Sequence, residues 1–574
     1  MRDRAKLFTQ VYVPKDGSRT YPFLIMRTPY GVAPYGSQRY RPLLGPSEIF
    51  DRAGYIFVFQ DVRGRYQSEG QFVEARPHLD HSSSSDVDES TDMYDSMEWL
   101  LEHVHGNNGN AGVWGMSYPG FYTTASIINT HPAIKAASPQ APVTNLFLGD
   151  DAYHNGALML AAQFEFYATF FKPRAANLEF PPAEPGHEFA YDIEDGYKYF
   201  LQHGPEISRI RGLIHNPFFD QTAQHDTYDE YWKSRDIAAH LQQIRCAILN
   251  VGGWFDAEDE AGTFRTFHAI DKGNPGMVNI LAVGPWAHGD WVRSSGSKLG
   301  ALDFGSPTVE FYRKHIVFPF FEHYLKGTPL PDLPKAYVFE TGTNRWLRYD
   351  AWPPKAAQTT TIYLHDHGRL SFDPPAHDET PFDQFTSDPK NPVPYLVNPP
   401  TQIAEEYMYS DQSFASKRTD VLTYLSEPLK EDLTIVGPIS PHLLVSTSQT
   451  DSDFDLKLID GYPEGGAMGG YQQLVRGEPM RAKFRNSFST PEPMVRNKVT
   501  PVNFDMPDAN HTFKRGHRII VQIQSSWFPL TDLNPQTFTD IVLAKPSDFV
   551  AAIERVYHYP GNASRVLVKR LENH

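Results

Sequence analysis

One turn, between an apolar strand and a helix-forming segment, constrains the fold of this chain more than any other feature. An apolar strand at 112–114 leads into residues 115–120 (GMSYPG), and the composition of 121–128 suits a helix. A serine on so tight a turn needs small residues close by on both sides, because strand and helix approach each other there. The pattern predicts a strand–turn–helix unit that presents Ser117 at the end of a strand.

The spacing of the two glycines departs from the strict Gly-x-Ser-x-Gly pattern. Gly120 lies one residue further from Ser117 than that pattern places its second glycine. The motif by itself is therefore weak evidence. The strand before it and the helix after it carry the prediction.

Short apolar segments alternate with helical stretches over the first 145 residues. The strand candidates are 7–13, 21–26, 55–59, 111–116 and 134–138, followed much later by 247–251 and 278–283. Near-continuous apolar strands separated by helices indicate a parallel sheet covered on both faces. We therefore expect an α/β domain built from residues 1–145 and 241–335.

Two other parts of the chain have a different character. Residues 146–240 are rich in aromatic side chains, carry a helical patch at 156–171 and are broken at 180–182 and 184–186, which predicts a helical cap over the strand ends. From residue 336 to 574 the helical signal fades, and alternating strands such as 442–447, 453–459 and 517–524 dominate. That pattern is typical of a β jelly-roll sandwich.

An acid and a histidine follow two of the predicted sheet strands. Asp256 comes after the strand at 247–251, and His288 comes after the strand at 280–283. Polar groups at the carboxyl ends of such strands gather in one place, and the order Ser, Asp, His is that of the α/β-hydrolases. We expect Ser117 as nucleophile, His288 as general base and Asp256 as the residue that orients it. The alternatives are a helix-capping aspartate and a surface histidine.

A serine that attacks an acyl carbonyl also needs hydrogen-bond donors that stabilise the oxyanion as it develops. The backbone N–H of Tyr118, directly after the nucleophile, is one candidate. Tyr30, which follows the strand at 21–26, could supply a phenolic hydroxyl as the second. The alternative for Tyr30 is a packed aromatic side chain.

Composition excludes several classes of function. The formal charge of −17, without a cluster of basic and aromatic residues, argues against nucleic acid as a partner. The single cysteine, Cys246, lies in an apolar run and predicts a buried thiol without a disulfide. We expect no membrane span, no cofactor and no catalytic metal. The serine run at 82–85, beside Asp86 and Asp88, predicts a solvated loop without a function.

Several motifs together resemble the X-prolyl dipeptidyl peptidase and cocaine esterase superfamily of α/β-hydrolases. They are 115–120, 61–66 (DVRGRY), 27–30 (RTPY) and 285–288 (PWAH) in the first half, with 437–438, 446–447, 451–454, 516–518 and 525–529 in the jelly-roll part. Within that superfamily, 253–259 (GWFDAED) and 150–156 (DDAYHNG) look like the α-amino acid ester hydrolases. The resemblance implies an acyl-enzyme that is passed to water or to a β-lactam nucleus.

The resemblance also implies roles for particular residues. The family's oxyanion tyrosine matches Tyr30, and the three carboxylates that hold the substrate ammonium match Asp151, Glu258 and Asp259. Charge-assisted hydrogen bonds to an ammonium would relieve the repulsion among these acids. Two alternatives stay open: acids at the start of a helix, and an oxygen-rich calcium site, for which 451–455 is a second candidate.

Three hypotheses of function follow. The first is an α-amino acid ester hydrolase, the second a glutaryl-cephalosporin acylase or general carboxylesterase, and the third a non-catalytic carbohydrate-binding protein that uses the sandwich. The family resemblance implies a homotetramer and a periplasmic or secreted location. The chain as given begins almost at its first predicted strand, without a leader, so a cytoplasmic location is the alternative.

Overall fold

The computed structural model describes residues 1–36, 38–81, 83, 85–169, 189–377 and 379–572. Over the first 350 positions the described strands are β1 (Thr9–Tyr12), β2 (Tyr21–Thr28), β3 (Ile56–Asp61), β4 (Asn107–Ser117), β5 (Ile134–Pro142), β6 (Tyr153–His154), β7 (Ala157–Leu158), β8 (Ala247–Phe255), β9 (Asn279–Ala287), β10 (Lys298–Leu299), β11 (Leu302–Asp303), β12 (Ala336–Glu340) and β13 (Arg345–Tyr349). β6 pairs with β7 and β10 with β11 as short separate ladders.

The other nine of these strands form one sheet in the order β1-β3-β2-β4-β5-β8-β9-β12-β13, as far as the described residues go. The strands from β3 to β12 run parallel, and only β1 and β13 at the edges are antiparallel. β3, β8 and β9 are buried at every position. Burial on both faces explains why these strands are apolar throughout rather than alternating.

Helices cover the two faces of this sheet. The described α-helices are α1 (Glu48–Asp51), α2 (Glu89–His103), α3 (Tyr118–Ile127), α4 (Leu160–Thr169), α5 (Gly196–His203), α6 (Ile207–Ile214), α7 (Pro217–Gln224), α8 (Glu230–Lys233), α9 (Glu260–Gly273), α10 (Asp290–Arg293), α11 (Thr308–Tyr312) and α12 (Phe318–Lys326). The segment predicted as a cap contains α4 to α8, between β5 and β8. Its predicted breaks at 180–182 and 184–186 lie outside the described residues.

The remaining strands belong to an all-β domain. They are β14 (Gln358–His365), β15 (Arg369–Ser371), β16 (Phe382–Ser387), β17 (Leu422–Leu425), β18 (Leu433–Thr447), β19 (Asp455–Gly461), β20 (Gln472–Glu478), β21 (Thr500–Asn503), β22 (Met506–Phe513), β23 (Arg518–Gln524), β24 (Ala552–Tyr559), β25 (Asn562–Ala563) and β26 (Arg565–Leu571). The predicted class, an α/β-hydrolase domain followed by a β domain, is confirmed.

The border between the two sheets differs from the expected one at residue 336. β12 pairs in parallel with β9, and β13 pairs with β12, so both extend the first sheet. The second sheet starts with β14. Short alternating strands look alike in sequence whichever sheet they join, so only the pairing partner separates the two cases.

The β domain contacts the turn that follows β8. Arg476, on β20, donates a hydrogen bond of 2.9 Å from Nη1 to the carbonyl oxygen of Trp254, and its Nη2 forms an ion pair with Glu260 at the start of α9. All three residues are buried. Since Asp256 lies between these two contacts in the chain, the β domain holds the turn that carries it.

Cys246 is buried, as predicted. Every helix in the described part of the chain is too short or too polar to cross a bilayer.

The turn after β4 has the strained backbone that the serine motif predicts. Ser117 has φ of 66° and ψ of −131°, a region that residues with a side chain rarely occupy. A Cβ on Gly115 would lie 2.3 Å from the carbonyl oxygen of Pro119, and one on Gly120 would lie 2.7 Å from that of Gln140. Gly120 therefore serves the approach of α3 to β5, which accounts for its unusual spacing from the serine.

We expect Gly115→Ala to lower the free energy of unfolding by about 1–3 kcal/mol, because its Cβ meets backbone that cannot move without shifting α3. Urea denaturation followed by circular dichroism measures this. The matched control is Gly212→Ala in α6, where no atom lies within 4 Å of the added Cβ. Alanine should leave stability there unchanged or raise it. Equal effects of the two substitutions would contradict this account of the turn.

Candidate active site

A cavity of ≈ 770 Å³ opens where the cap segment, the α/β sheet and the β domain meet. Among its lining residues are five of the predicted site residues: Tyr30, Ser117, Asp151, Glu258 and His288. They come from five separate segments of the chain. The structure thus brings together side chains that are far apart in the sequence. Tyr30 and His288, for example, are 258 positions apart.

Asp256 and His288 form a buried pair. His288 Nδ1 lies 2.9 Å from Oδ1 and 3.1 Å from Oδ2 of Asp256. The backbone N–H groups of Glu258 and Asp259 also donate to Oδ1, at 2.9 and 3.0 Å. Burial raises the pKa of Asp256, but His288 and these donors outweigh it, so the net pKa is lowered. Asp256 therefore stays ionised and holds the imidazole in one orientation.

His288 lies in a strongly negative environment. Burial lowers its pKa, but Asp256 and Glu258 outweigh burial and raise the pKa to about 10. Glu258 Oε2 is 3.7 Å from Nε2, the nitrogen opposite the one that meets Asp256. The imidazole must be neutral to accept a proton, so this negative field works against the base in the free protein.

Tyr30 and Tyr118 both lie next to the serine, with their ring centroids 6.4 Å apart. The Tyr30 hydroxyl is hydrogen-bonded to Ser117, and burial, followed by the charges of Asp151 and Glu258, raises its pKa well above the ordinary value. The phenol therefore remains protonated and able to donate. Tyr118 is the first residue of α3, so its N–H lies at the positive end of that helix. Both positions suit an oxyanion site.

The loop after β5 positions Asp151. Its neighbour Asp150 is fully buried, and Oδ2 of Asp150 accepts the backbone N–H groups of Thr144 and Asn145 at 2.8 and 2.7 Å. Gln163 Nε2 donates to the Asp151 carbonyl oxygen at 2.9 Å. These contacts fix the loop, and Asp151 rather than Asp150 lines the cavity.

The three predicted carboxylates take two different positions. Asp151 and Glu258 line the cavity, whereas Asp259 is fully buried behind its wall. Burial raises the pKa of Asp259 well above its ordinary value, and the charge of Asp151 raises it further. Neither Asp259 carboxylate oxygen has a hydrogen-bond partner among the described residues. Although Asp259 stands at the N-cap of α9, its side chain caps no N–H there, which disfavours the helix-start alternative.

A further carboxylate, which sequence reasoning missed, contacts the histidine. Oε2 of Glu405, in a 3₁₀ helix at Glu405–Met408, accepts the backbone N–H of His288 at 3.1 Å. Burial raises the pKa of Glu405 to about 8, opposed by His288 and reinforced by Glu258. Glu405 lies 117 residues after His288, in a segment without a recognisable pattern. No sequence signal could have identified it.

The alternative of calcium at 451–455 is not supported. Arg481 forms ion pairs of 2.9 Å with Asp453 and Asp532, and the backbone N–H of Lys483 donates to Asp451 at 2.8 Å. Asp451 and Asp453 are already occupied by cationic and N–H partners, so these two acids of the motif stabilise the β domain instead.

A nucleophile on a strained strand–helix turn, a buried acid–histidine pair and two oxyanion positions define a serine hydrolase of the α/β-hydrolase fold. Comparison with known families supports this assignment to the serine hydrolases. The chain belongs to the X-Pro dipeptidyl-peptidase (S15) family: the model of that family matches residues 3–290, and the model of the X-Pro dipeptidyl-peptidase C-terminal non-catalytic domain matches 331–567. It is a serine hydrolase that acts on esters or peptides.

Individual relatives cover nearly the whole chain. The structure superposes on an α-amino acid ester hydrolase with a TM-score of 0.92 at 36% identity, covering 99% of this chain and 95% of the other. An aminopeptidase from a marine sediment Thaumarchaeota archaeon gives 0.91 at 34% identity, covering 100% and 95%. Cocaine esterase from Rhodococcus sp. strain MB1 Bresler is 27% identical, covering 99% of this chain and 96% of its own.

We expect Glu258→Gln to move the acidic limb of the pH profile of kcat/KM to lower pH. Removing this charge lowers the pKa of His288, so the neutral base forms at lower pH. A phenylacetate ester, which lacks an amino group, isolates this effect from substrate binding. Asp303→Asn, an exposed acid away from the cavity, should leave the limb in place. A limb that stays fixed or moves to higher pH in Glu258→Gln would contradict this role of the Glu258 charge.

Proposed function

We propose that this serine hydrolase acts on esters and amides whose acyl group carries a free α-ammonium, including β-lactam antibiotics of that type. One observation carries the proposal: Asp151 and Glu258 line the cavity of Ser117, with Asp259 buried directly behind them. In the described part of the chain, no Lys or Arg lies within ion-pair distance of any of the three. A group of acids without a Lys or Arg ion-pair partner suits a cationic ligand.

The electrostatics of the cavity favour an ammonium for a second reason. Burial raises the pKa values of Asp151, Glu258 and Asp259. The charge of Glu258 raises the pKa of Asp151 further, and the charge of Asp151 does the same to Asp259. An ammonium among them would favour their ionised forms through charge-assisted hydrogen bonds. The same positive charge would lower the pKa of His288 toward neutrality, so a bound α-amino substrate would help to generate the base that attacks it.

The proposed reaction follows from these positions. The Ser117 hydroxyl attacks the acyl carbonyl carbon while His288 Nε2 accepts its proton, and Asp256 stabilises the imidazolium. The Tyr30 hydroxyl and the Tyr118 N–H hold the oxyanion. The tetrahedral intermediate then collapses, and His288 protonates the departing alcohol or amine. Water, or an amine such as a β-lactam nucleus, takes the acyl group from Ser117 in the second half of the reaction.

Two relatives support this substrate class by their names, an α-amino acid ester hydrolase and an aminopeptidase. A glutaryl acylase fits the cavity less well, because its carboxylates would repel glutarate. A general carboxylesterase would not require the carboxylates of Asp151, Glu258 and Asp259. The non-catalytic hypothesis has no support, since the chain belongs to a family of serine hydrolases and its acid–histidine pair is intact.

We expect the double substitution Glu258→Gln with Asp259→Asn to reduce kcat/KM for a phenylglycine ester far more than for the matching phenylacetate ester. Hydrogen bonds to charged groups contribute about 1.5–3 kcal/mol each, which corresponds to a selective loss of roughly ten- to more than a hundredfold. Steady-state kinetics on the substrate pair measures the ratio. Equal losses on both esters would leave only a general esterase.

The cavity also carries a cation away from its acidic side. Arg41 lines the cavity with its guanidinium 4.4 Å from the centre of the Phe59 ring, and its Nη1 donates to the Ala33 carbonyl oxygen at 2.8 Å. Its Nε is buried without a partner, and the described residues place no carboxylate within ion-pair distance. A leaving group that bears a carboxylate, as a β-lactam nucleus or a second amino acid does, would match this cation.

We therefore expect Arg41→Met to raise KM for ampicillin by at least tenfold, with a much smaller effect on phenylglycine methyl ester, because only ampicillin has a carboxylate on its leaving group. The matched control is Arg39→Met, an exposed arginine of the same loop that does not line the cavity. The same change in KM for both substrates would exclude a carboxylate contact at Arg41.

A further inference from the structure

We propose that His78, His81 and Asp88 form a binding site for a divalent transition-metal ion such as Zn²⁺. The site lies in the loop between β3 and α2, on either side in sequence of the serine run 82–85, which the sequence predicts to be a solvated loop without a function. One nitrogen of each histidine and one oxygen of Asp88 all lie within 4.8 Å of one another. None of these residues lines the cavity of Ser117, so the site is separate from the reaction.

Asp88 is held in place by the start of α2. As the N-cap residue, it accepts the backbone N–H groups of Ser90 and Thr91 on Oδ1, at 3.0 and 2.9 Å. These bonds turn the second oxygen, Oδ2, toward the loop. His78 Nδ1 lies 2.9 Å and His81 Nε2 2.8 Å from Oδ2, which also accepts the backbone N–H of Leu79 at 3.0 Å. Two imidazoles are thus directed at one fixed carboxylate oxygen.

The donor set and its spacing suit a metal ion. Two imidazole nitrogens and a carboxylate oxygen are preferred ligands of Zn²⁺ and neighbouring divalent metals. With metal–ligand bonds of about 2.0–2.1 Å, the ligand atoms of a tetrahedral site lie roughly 3.3–3.4 Å apart. The two nitrogen–oxygen contacts of 2.9 and 2.8 Å would lengthen by about half an ångström to reach that spacing.

The surroundings offer further polar support and an opening. The ring of His240, at the end of the 3₁₀ helix Ile237–His240, lies with its centroid 4.7 Å from that of His78. Asn129 Nδ2 lies 3.3 Å from Nδ1 of His81, on the side away from Asp88. Metal binding at Nε2 places the ring proton on Nδ1, so the Asn129 amide would turn to accept that proton through its oxygen. The side chain of Asp88 is 1% exposed and that of His81 is 21% exposed. The site is therefore largely buried but still accessible to solvent.

An ion at this place would join three elements: the loop at 78–88, the first turn of α2 and the segment that ends at His240. We therefore infer a structural role, in which binding raises the melting temperature and leaves hydrolysis unchanged. The competing explanation is that both histidines only donate hydrogen bonds to a helix-capping aspartate. The two explanations differ in metal affinity and not in the contacts already present.

The test uses the full chain after treatment with a chelator. We expect one equivalent of Co²⁺ to produce the visible absorption of a tetrahedral site, one equivalent of Zn²⁺ to displace it, and Zn²⁺ to raise the melting temperature. The double variant His78→Asn with His81→Asn should lose affinity at least tenfold and lose the thermal shift. Asparagine can still donate to Asp88, so this variant keeps the N-cap and should fold.

The matched control replaces the exposed residues His103 and His367 by asparagine, which removes the same number of imidazoles elsewhere. It should bind like the unmodified chain. Metal content by elemental analysis after dialysis gives the stoichiometry. Affinity that is equal in the two double variants, or no tightly bound equivalent in the unmodified chain, would overturn the proposal. Kinetics on a phenylacetate ester should be the same with and without Zn²⁺.

Discussion

Repulsion among buried negative charges is the interaction on which this molecule depends. Asp256, Glu258 and Glu405 all raise the pKa of His288. Glu258 raises the pKa of Asp151, and Asp151 raises that of Asp259. Such a set is costly to bury without a cation. It becomes favourable once a positively charged group enters, so the cost borne by the free protein is the source of the proposed selectivity for an ammonium.

The β domain contributes contacts that hold the Asp256–His288 pair in place. Arg476 holds the turn that carries Asp256, and Glu405, from the segment between β16 and β17, contacts the backbone of His288. Both members of the acid–histidine pair are thus supported from outside the α/β domain. An exchange of the β domain for another fold would remove these contacts even if every residue of the first sheet were kept.

Much of the fold and of the site could be predicted, for reasons that are local. Strands buried on both faces must be apolar throughout, which identified β3, β8 and β9. Ser117 was identified by its turn and His288 by its place after a strand. Asp259 lies fully buried behind the cavity wall, whereas the family resemblance implied for it the same position as for Asp151 and Glu258. Side-chain direction after a turn depends on packing that spacing does not reveal.

The sequence alone determined the parallel sheet and the strand-end positions of Ser117, Asp256 and His288, because periodicity and turn chemistry act over a few residues. The expectation that Asp151 and Glu258 lie near them came from the family resemblance. Only the tertiary structure decided where β12 and β13 pair, that Glu405 meets His288, and that two histidines converge on the N-cap of α2. These outcomes depend on contacts between segments far apart in the chain, and no short-range pattern encodes which distant surface a loop will meet.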